Sequence, residues 1–158
     1  MSPVTIETVA RLLYQDLWND RRHDIAGELF HPEFRASDQA ERDGGAAKLA
    51  ANRRYHTTFP DLHITIDQRI AATDQVAVRW TLSGTDTGGP GDRLSTGKAV
   101  HSWGVDFLEF RDGLIIRDWV GVDWLGALTQ LGLITNPWTR ENQTTASHTA
   151  ILVSETKS

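Results

Sequence analysis

The chain has 158 residues, a net charge of −5 and no cysteine, which excludes disulfide staples, thiolate zinc sites and a cysteine nucleophile. A domain of this length buries a core without covalent or metal support, and an acidic balance with no basic stripe excludes an electrostatic footprint for nucleic acid. With 39% hydrophobic and 23% charged residues the composition is that of a soluble globular protein; "MSPVTIETVA" carries no signal pattern and no apolar run is long enough to span a bilayer, so the expected location is cytoplasmic, away from membranes.

In "SPVTIETVARLLYQDLW" the residues Ile6, Val9, Leu13 and Leu17 recur at helical spacing, with Ser2 as N-cap and Pro3 at the first helical position. A short second helix, "HDIAGELF", must end at His31-Pro32, and "EFRASD" reads as a brief extended segment before the polar loop "QAERDGG". "AAKLAANRRYHTT" predicts a third helix that stops at Phe59-Pro60. From there the period changes to about 2, and "LHITIDQRIAA", "QVAVRWTLSGTDT", "KAVHSWGVDFLEF" and "GLIIRDWVGVD" predict four consecutive strands. Asp112-Gly113 is the hairpin signal between the last two. "WLGALTQLGLI" predicts a terminal helix that Asn136-Pro137 closes. Residues 1–134 form the domain; residues 135–158 are a polar tail with one apolar patch, "AILV". Helices followed by a meandering antiparallel sheet make an α+β fold: a cone-shaped curved sheet with the N-terminal helices over its concave face, an α+β barrel with a pocket at its centre.

A two-residue turn at Asp112-Gly113 sets Phe110 opposite Ile115, Leu108 opposite Arg117, Asp106 opposite Trp119, Gly104 opposite Gly121 and Ser102 opposite Asp123, provided no bulge breaks the register. One face of the hairpin then carries an apolar floor leading to Asp106, Trp119, Ser102 and Asp123, with the two glycines leaving room for a ligand. His101, Trp103, Val105, Phe107 and Asp118 fall on the other face, where a subunit contact or solvent is expected. Asp123 has two readings, a proton-carrying acid in the pocket or an N-cap for the last helix. Asp106 interrupts a half-buried strand and is either a functional carboxylate or the partner of Trp119, Arg79 or Arg117. His56, near Phe59 on the third helix, either faces the pocket or is satisfied within the core, and Tyr14 and Asp38 are unremarkable in isolation. No histidine spacing predicts a metal site, and no phosphate loop or nucleophile elbow is present.

"YHTTFPDLHITIDQRIAATDQVAVRWTLSGTDTG", "TGKAV" and "GVDFLEFRDGLIIRDWVGVDWLGALTQLG" together resemble the SnoaL-like polyketide cyclases of the nuclear-transport-factor-like superfamily, over residues 12–133. The resemblance implies dimers or tetramers assembled through the convex sheet, and an aspartate closing the last strand that acts as acid and base in an intramolecular aldol closure without metal or cofactor. Asp123 occupies that position. Where many relatives read Gly-Thr-His-x-Gly this chain has "GTDTG", with Asp86 in place of the histidine. A more distant resemblance, to ketosteroid isomerases, matches the positions of Tyr14, Asp106 and Asp38.

Both resemblances imply removal of a proton α to a carbonyl and stabilisation of the enolate in a water-poor pocket. The first expectation is a cofactor-free cyclase or isomerase acting on a small hydrophobic, polyketide-like carbonyl substrate of secondary metabolism, with Asp123, Asp106, Asp38 and Tyr14 catalytic and Trp119, His56, Ser102 and Phe59 shaping the pocket. The alternatives are epoxide opening, for which Arg79 supplies half of the needed Arg-x-Asp pair, hydroxylation, and a non-catalytic ligand-binding module.

Overall fold

The computed structural model describes residues 5–36, 44–89 and 93–138. The first helix, α1 (Ile6–Leu12), is capped by Thr5, whose hydroxyl accepts from the Thr8 amide; the expected cap Ser2 lies outside the described residues. Leu13–Asn19 continues the same rod as a π-helical segment, where one i→i+5 register shifts the side-chain spacing. A 3₁₀ turn (His23–Ile25) and the single turn α2 (Ala26–Leu29) follow.

The expected extended segment is a full strand, β1 (Phe30–Ala36), and it starts before Pro32 rather than after it. Proline lacks the ladder N–H, but β1 is an edge strand and its register is irregular between Phe30 and Arg35, so the missing donor costs little. After α3 (Gly44–Thr58) come β2 (His63–Ala71), β3 (Gln75–Thr85), β4 (Ala99–Arg111) and β5 (Leu114–Val122). Asp112 and Gly113 both have positive φ, 52° and 78°, as the tight hairpin turn requires. The last helix, α4 (Trp124–Leu131), ends three residues earlier than expected because Gly132 takes the left-handed conformation and returns its amide to Leu128 and Thr129.

The sheet order is β1-β5-β4-β3-β2. The four later strands are antiparallel neighbours as expected, but β1 runs parallel to β5, so the sheet is mixed. It is also open and does not close into a barrel: β1 and β2 are its two edges. Alternate residues of β3 and β4 (Val76, Val78, Trp80, Leu82; Val100, Ser102, Asp106, Leu108, Phe110) point to one buried face, against which the helical layer places Val9, Leu13, Tyr14 and Leu17. Each fully buried aliphatic side chain here contributes about 1.5–3 kcal/mol.

The glycines do not serve as expected. Gly104 makes room for protein, not ligand: a Cβ there would stand 2.2 Å from the Trp80 ring. Gly121 is on the outer face with open space around it. Gly104→Ala should therefore lower unfolding stability by about 1–3 kcal/mol in urea titration, whereas Gly121→Ala should leave it within about 0.5 kcal/mol. Equal effects at the two positions would contradict this placement of the indole.

Candidate active site

The buried end of the inner face is set by one residue of β5. Phe110 pairs with Ile115, as the hairpin turn demands, but Glu109 pairs with Arg117, leaving Ile116 without an opposite number. Beyond this bulge the inward set is Asp118, Val120 and Val122, and the outward set is Arg117, Trp119 and Gly121. The expected pairs, Asp106 with Trp119 and Leu108 with Arg117, are replaced by Asp106 with Val120 and Leu108 with Asp118, and the ladder ends at Gly104 and Val122, short of the expected pairing of Ser102 with Asp123. Asp118, expected outside, is thus 1% exposed and diagonal to Asp106, which is 3% exposed. Trp119, expected in the pocket, is 48% exposed on the outer face, beside the Arg117 guanidinium.

Two helical side chains reach these carboxylates. Tyr14, in the π-helical segment, donates its hydroxyl to Asp106 Oδ2 at 2.5 Å. Lys48, on α3, donates its ammonium to Asp118 Oδ2. Asp118 Oδ1 is buried without a hydrogen-bond partner among the described residues; Asp106 Oδ1 and the Trp80 indole N–H are buried close enough to interact but do not meet in a well-formed hydrogen bond. Burial pushes the Asp106 carboxyl up to about 6; the Asp118 charge adds to this, while the Lys48 charge and the Tyr14 and Trp80 side chains act against it. Burial also holds the Tyr14 phenol well above its ordinary range, with the Asp106 and Asp118 charges reinforcing it. The phenol is a donor at every physiological pH.

The π-helical segment is held by α3. Its final carbonyls have no partner within the helix; Leu17 O accepts from Asn52 Nδ2 at 3.2 Å, and Trp18 O accepts from His56 Nε2 at 2.6 Å. Burial keeps the His56 pKa below its ordinary value, so the ring is neutral with its proton on Nε2. His56 is therefore a core anchor for the segment that carries Tyr14, and it is not among the residues lining the cavity.

The cavity, of about 580 Å³, runs outward from Tyr14, Trp80 and Asp106 between the sheet and α3. Ser102 and Phe59 line it as expected. Lys48, Ala51, Tyr55 and Thr58 form a stripe along α3, and Trp124, Ala127, Leu128 and Leu131 of α4 face them. Asp123 does not line the cavity; its Oδ1 accepts from the Gly126 amide at 2.9 Å and caps α4. Arg79 points outward, 3.9 Å from Asp67. Asp38 lies outside the described residues. The residues missed from the sequence are Asp118 and Lys48. Among the described residues no three His, Asp or Glu side chains are grouped to hold a metal ion, and no helix is long and apolar enough to cross a membrane.

The family model for SnoaL-like polyketide cyclases matches residues 8–131. Among solved structures, TsrD from Streptomyces laurentii is 25% identical with a TM-score of 0.75, covering 85% of this chain and 99% of its own. A SnoaL-like polyketide cyclase from Agrobacterium tumefaciens is 20% identical (TM-score 0.68; 81% and 98% covered). AclR from Streptomyces galilaeus, a candidate hydroxylase, is 23% identical (TM-score 0.69; 82% and 97% covered). No curated protein matches the chain.

Because the Asp118 charge helps to raise the Asp106 pKa, Asp118→Asn should bring it down from about 6 toward the ordinary carboxylate range, read by carbon NMR titration of the aspartate carboxyls. An unchanged or higher value would contradict the diagonal placement of the two groups.

Proposed function

The chain belongs to the SnoaL-like polyketide cyclase family, and from that premise we propose that it is a cofactor-independent acid–base enzyme which removes a proton α to a carbonyl of a polyketide-like or other polycyclic substrate and returns it within the same cavity. The observation that carries this reading is the Asp106–Tyr14 pair, a buried carboxyl with a pKa near 6 joined to a phenol that stays protonated. A base with its pKa close to the working pH combines a large ionised fraction with useful proton affinity.

In the proposed step, the Asp106 carboxylate takes the proton from the carbon α to the carbonyl. The C–H electron pair becomes the C=C bond of the enolate, and the negative charge moves to its oxygen. Protonation makes Asp106 a weaker acceptor, which frees the Tyr14 hydroxyl to donate to that oxygen. Asp106 then returns the proton, to carbon in an isomerisation, or to the alkoxide formed when the enolate carbon attacks a second carbonyl of the same molecule in an aldol closure. Lys48, paired with Asp118, keeps the neighbouring carboxylate from raising the Asp106 pKa further. Asp123 acts as a helix cap in this scheme. Epoxide opening by an Asp-Arg-Asp set is less well supported, since Arg79 faces away from the cavity.

A second proposal concerns assembly. Trp103 and Phe107 on β4 are 52% and 56% exposed, and Phe107 pairs directly with Trp119 across the outer face. A row of large apolar side chains supports pairing with a second copy through this sheet face. Light scattering should report a mass above that of one chain, and Trp103→Glu with Phe107→Glu should reduce it to the monomer; a monomeric wild type at micromolar concentration would refute the pairing.

The chemistry is tested by deuterium exchange of the α-protons of an α-tetralone in D₂O, followed by NMR. Wild-type protein should accelerate exchange, with the rate falling as pH drops below about 6. Asp106→Asn should lose on the order of a hundredfold or more, while Asp123→Asn, which keeps the cap, should retain both stability and rate. A folded Asp106→Asn protein with full exchange activity would end the mechanism.

A further inference from the structure

Among the described residues four charged side chains line the cavity: Lys48, Arg54, Arg93 and Asp106. Three cations against one carboxylate reverse the balance of a chain whose net charge is −5. Lys48 spends its charge on Asp118. Arg93 makes a two-pronged contact with Asp86, Nη1 to Oδ2 at 3.0 Å and Nη2 to Oδ1 at 2.5 Å, and Nη1 also reaches the Leu94 carbonyl at 3.4 Å.

Asp86 is fully buried and also accepts from the Gly88 amide and from the amide and hydroxyl of Thr96. It fixes Arg93 in one pose. The fork has five N–H groups, and the Nε–H is not among those used on Asp86 or Leu94. Gly89 lies against that edge, where a Cβ would stand 2.8 Å from Nε. Arg54 differs, because no carboxylate among the described residues is ion-paired with it.

Arg54 and Arg93 belong to one rim. The Thr87 amide donates to Thr58 O at 2.9 Å, docking the start of the loop on the end of α3, and Arg54 stands one turn before Thr58 on α3, exposed at the mouth of the cavity. Along the helix axis Arg54 is about 9 Å from Lys48 at the buried end. A molecule whose carbonyl reaches Asp106 therefore presents its far end to these two guanidinium groups.

Resting on the reading of the cavity as a site for carbonyl substrates, we infer that the substrate is an organic acid: a polycyclic ketone bearing a carboxylate at the end remote from the reacting carbonyl. Arg54 supplies the counter-charge and the Arg93 Nε–H a directed hydrogen bond, while the Asp86 pair keeps Arg93 from adding a second net charge. Arg54 and Arg93 are the residues that set specificity, and Asp86 is a positioning residue.

Trp18, Trp80 and Trp124 line the cavity, so their fluorescence reports occupancy. The full chain is titrated with 6-carboxy-α-tetralone and with its methyl ester. The acid should bind on the order of tenfold tighter, the advantage should shrink as salt is raised, and Arg54→Gln should abolish it while leaving the ester's affinity unchanged. Arg93→Gln should act in the same direction; if loss of the Asp86 partner unfolds that variant, Arg54→Gln still decides. Equal affinity for acid and ester overturns the acidic substrate but not the carbonyl chemistry. Binding of neither overturns the carbonyl-substrate reading and this inference together. A preference for the acid that survives Arg54→Gln overturns the role given to Arg54.

Discussion

Ile116 has no partner on β4, and every residue of β5 beyond it is turned over relative to an unbroken hairpin. The turn-over brings a second carboxylate onto a buried face that already holds one. Two buried carboxylates on one face repel each other, and each loses its hydration. The fold meets this with one cation and one neutral donor: Lys48 takes Asp118, and Tyr14 takes Asp106. Burial raises the proton affinity of Asp106, the Asp118 charge adds to it, and the neutral Tyr14 donor offsets only part of the rise. The local rotation of one strand thus adds to a shift in acidity that burial begins on the next.

The helical layer exists in a form that serves these contacts. Leu13, Tyr14, Leu17 and Trp18 of the π-helical segment are all buried, continuing the inward face that Val9 and Ala10 begin in α1. The segment's unpaired end carbonyls are satisfied by Asn52 and His56 from α3, the helix that also delivers Lys48. Asn19 ties the same end to β2 through both the amide and the carbonyl of Ile64. Tyr14 and Lys48 are therefore positioned by one packed unit, and their separation is not free to drift independently of the sheet.

Much of the fold was legible in the residues. The change of period after Phe59-Pro60 marks the four later strands, and Asp112-Gly113 marks the hairpin with both central residues at positive φ. Asp106 stood out by interrupting a half-buried strand, Tyr14 only through the resemblance to ketosteroid isomerases, and the capping reading of Asp123 was open from its place before α4. The bulge was not legible, because counting outward from a turn propagates any slip to every later residue, and Trp119 looked like a better inner residue than it is. One signal was available: with Ile116 unpaired, the inward positions become Val120 and Val122, which fill a core better than Gly121 does. The parallel pairing of β1 with β5 joins segments far apart in the chain, and Lys48 has meaning only once Asp118 is known to face it. Both depend on long-range packing that no local pattern carries.

The Trp80 ring occupies the volume that a side chain at position 104 would need, and the two residues face each other across the β3–β4 ladder. Neither position can change size alone without a gap or a collision. A side chain at 104 is compatible with this backbone only if the residue at 80 is smaller than tryptophan. Because the indole also walls the cavity beside Asp106, such a paired exchange enlarges or narrows the buried end in a single step. The pair is a dial on the girth of the buried end that leaves the carboxylate and the phenol where they are.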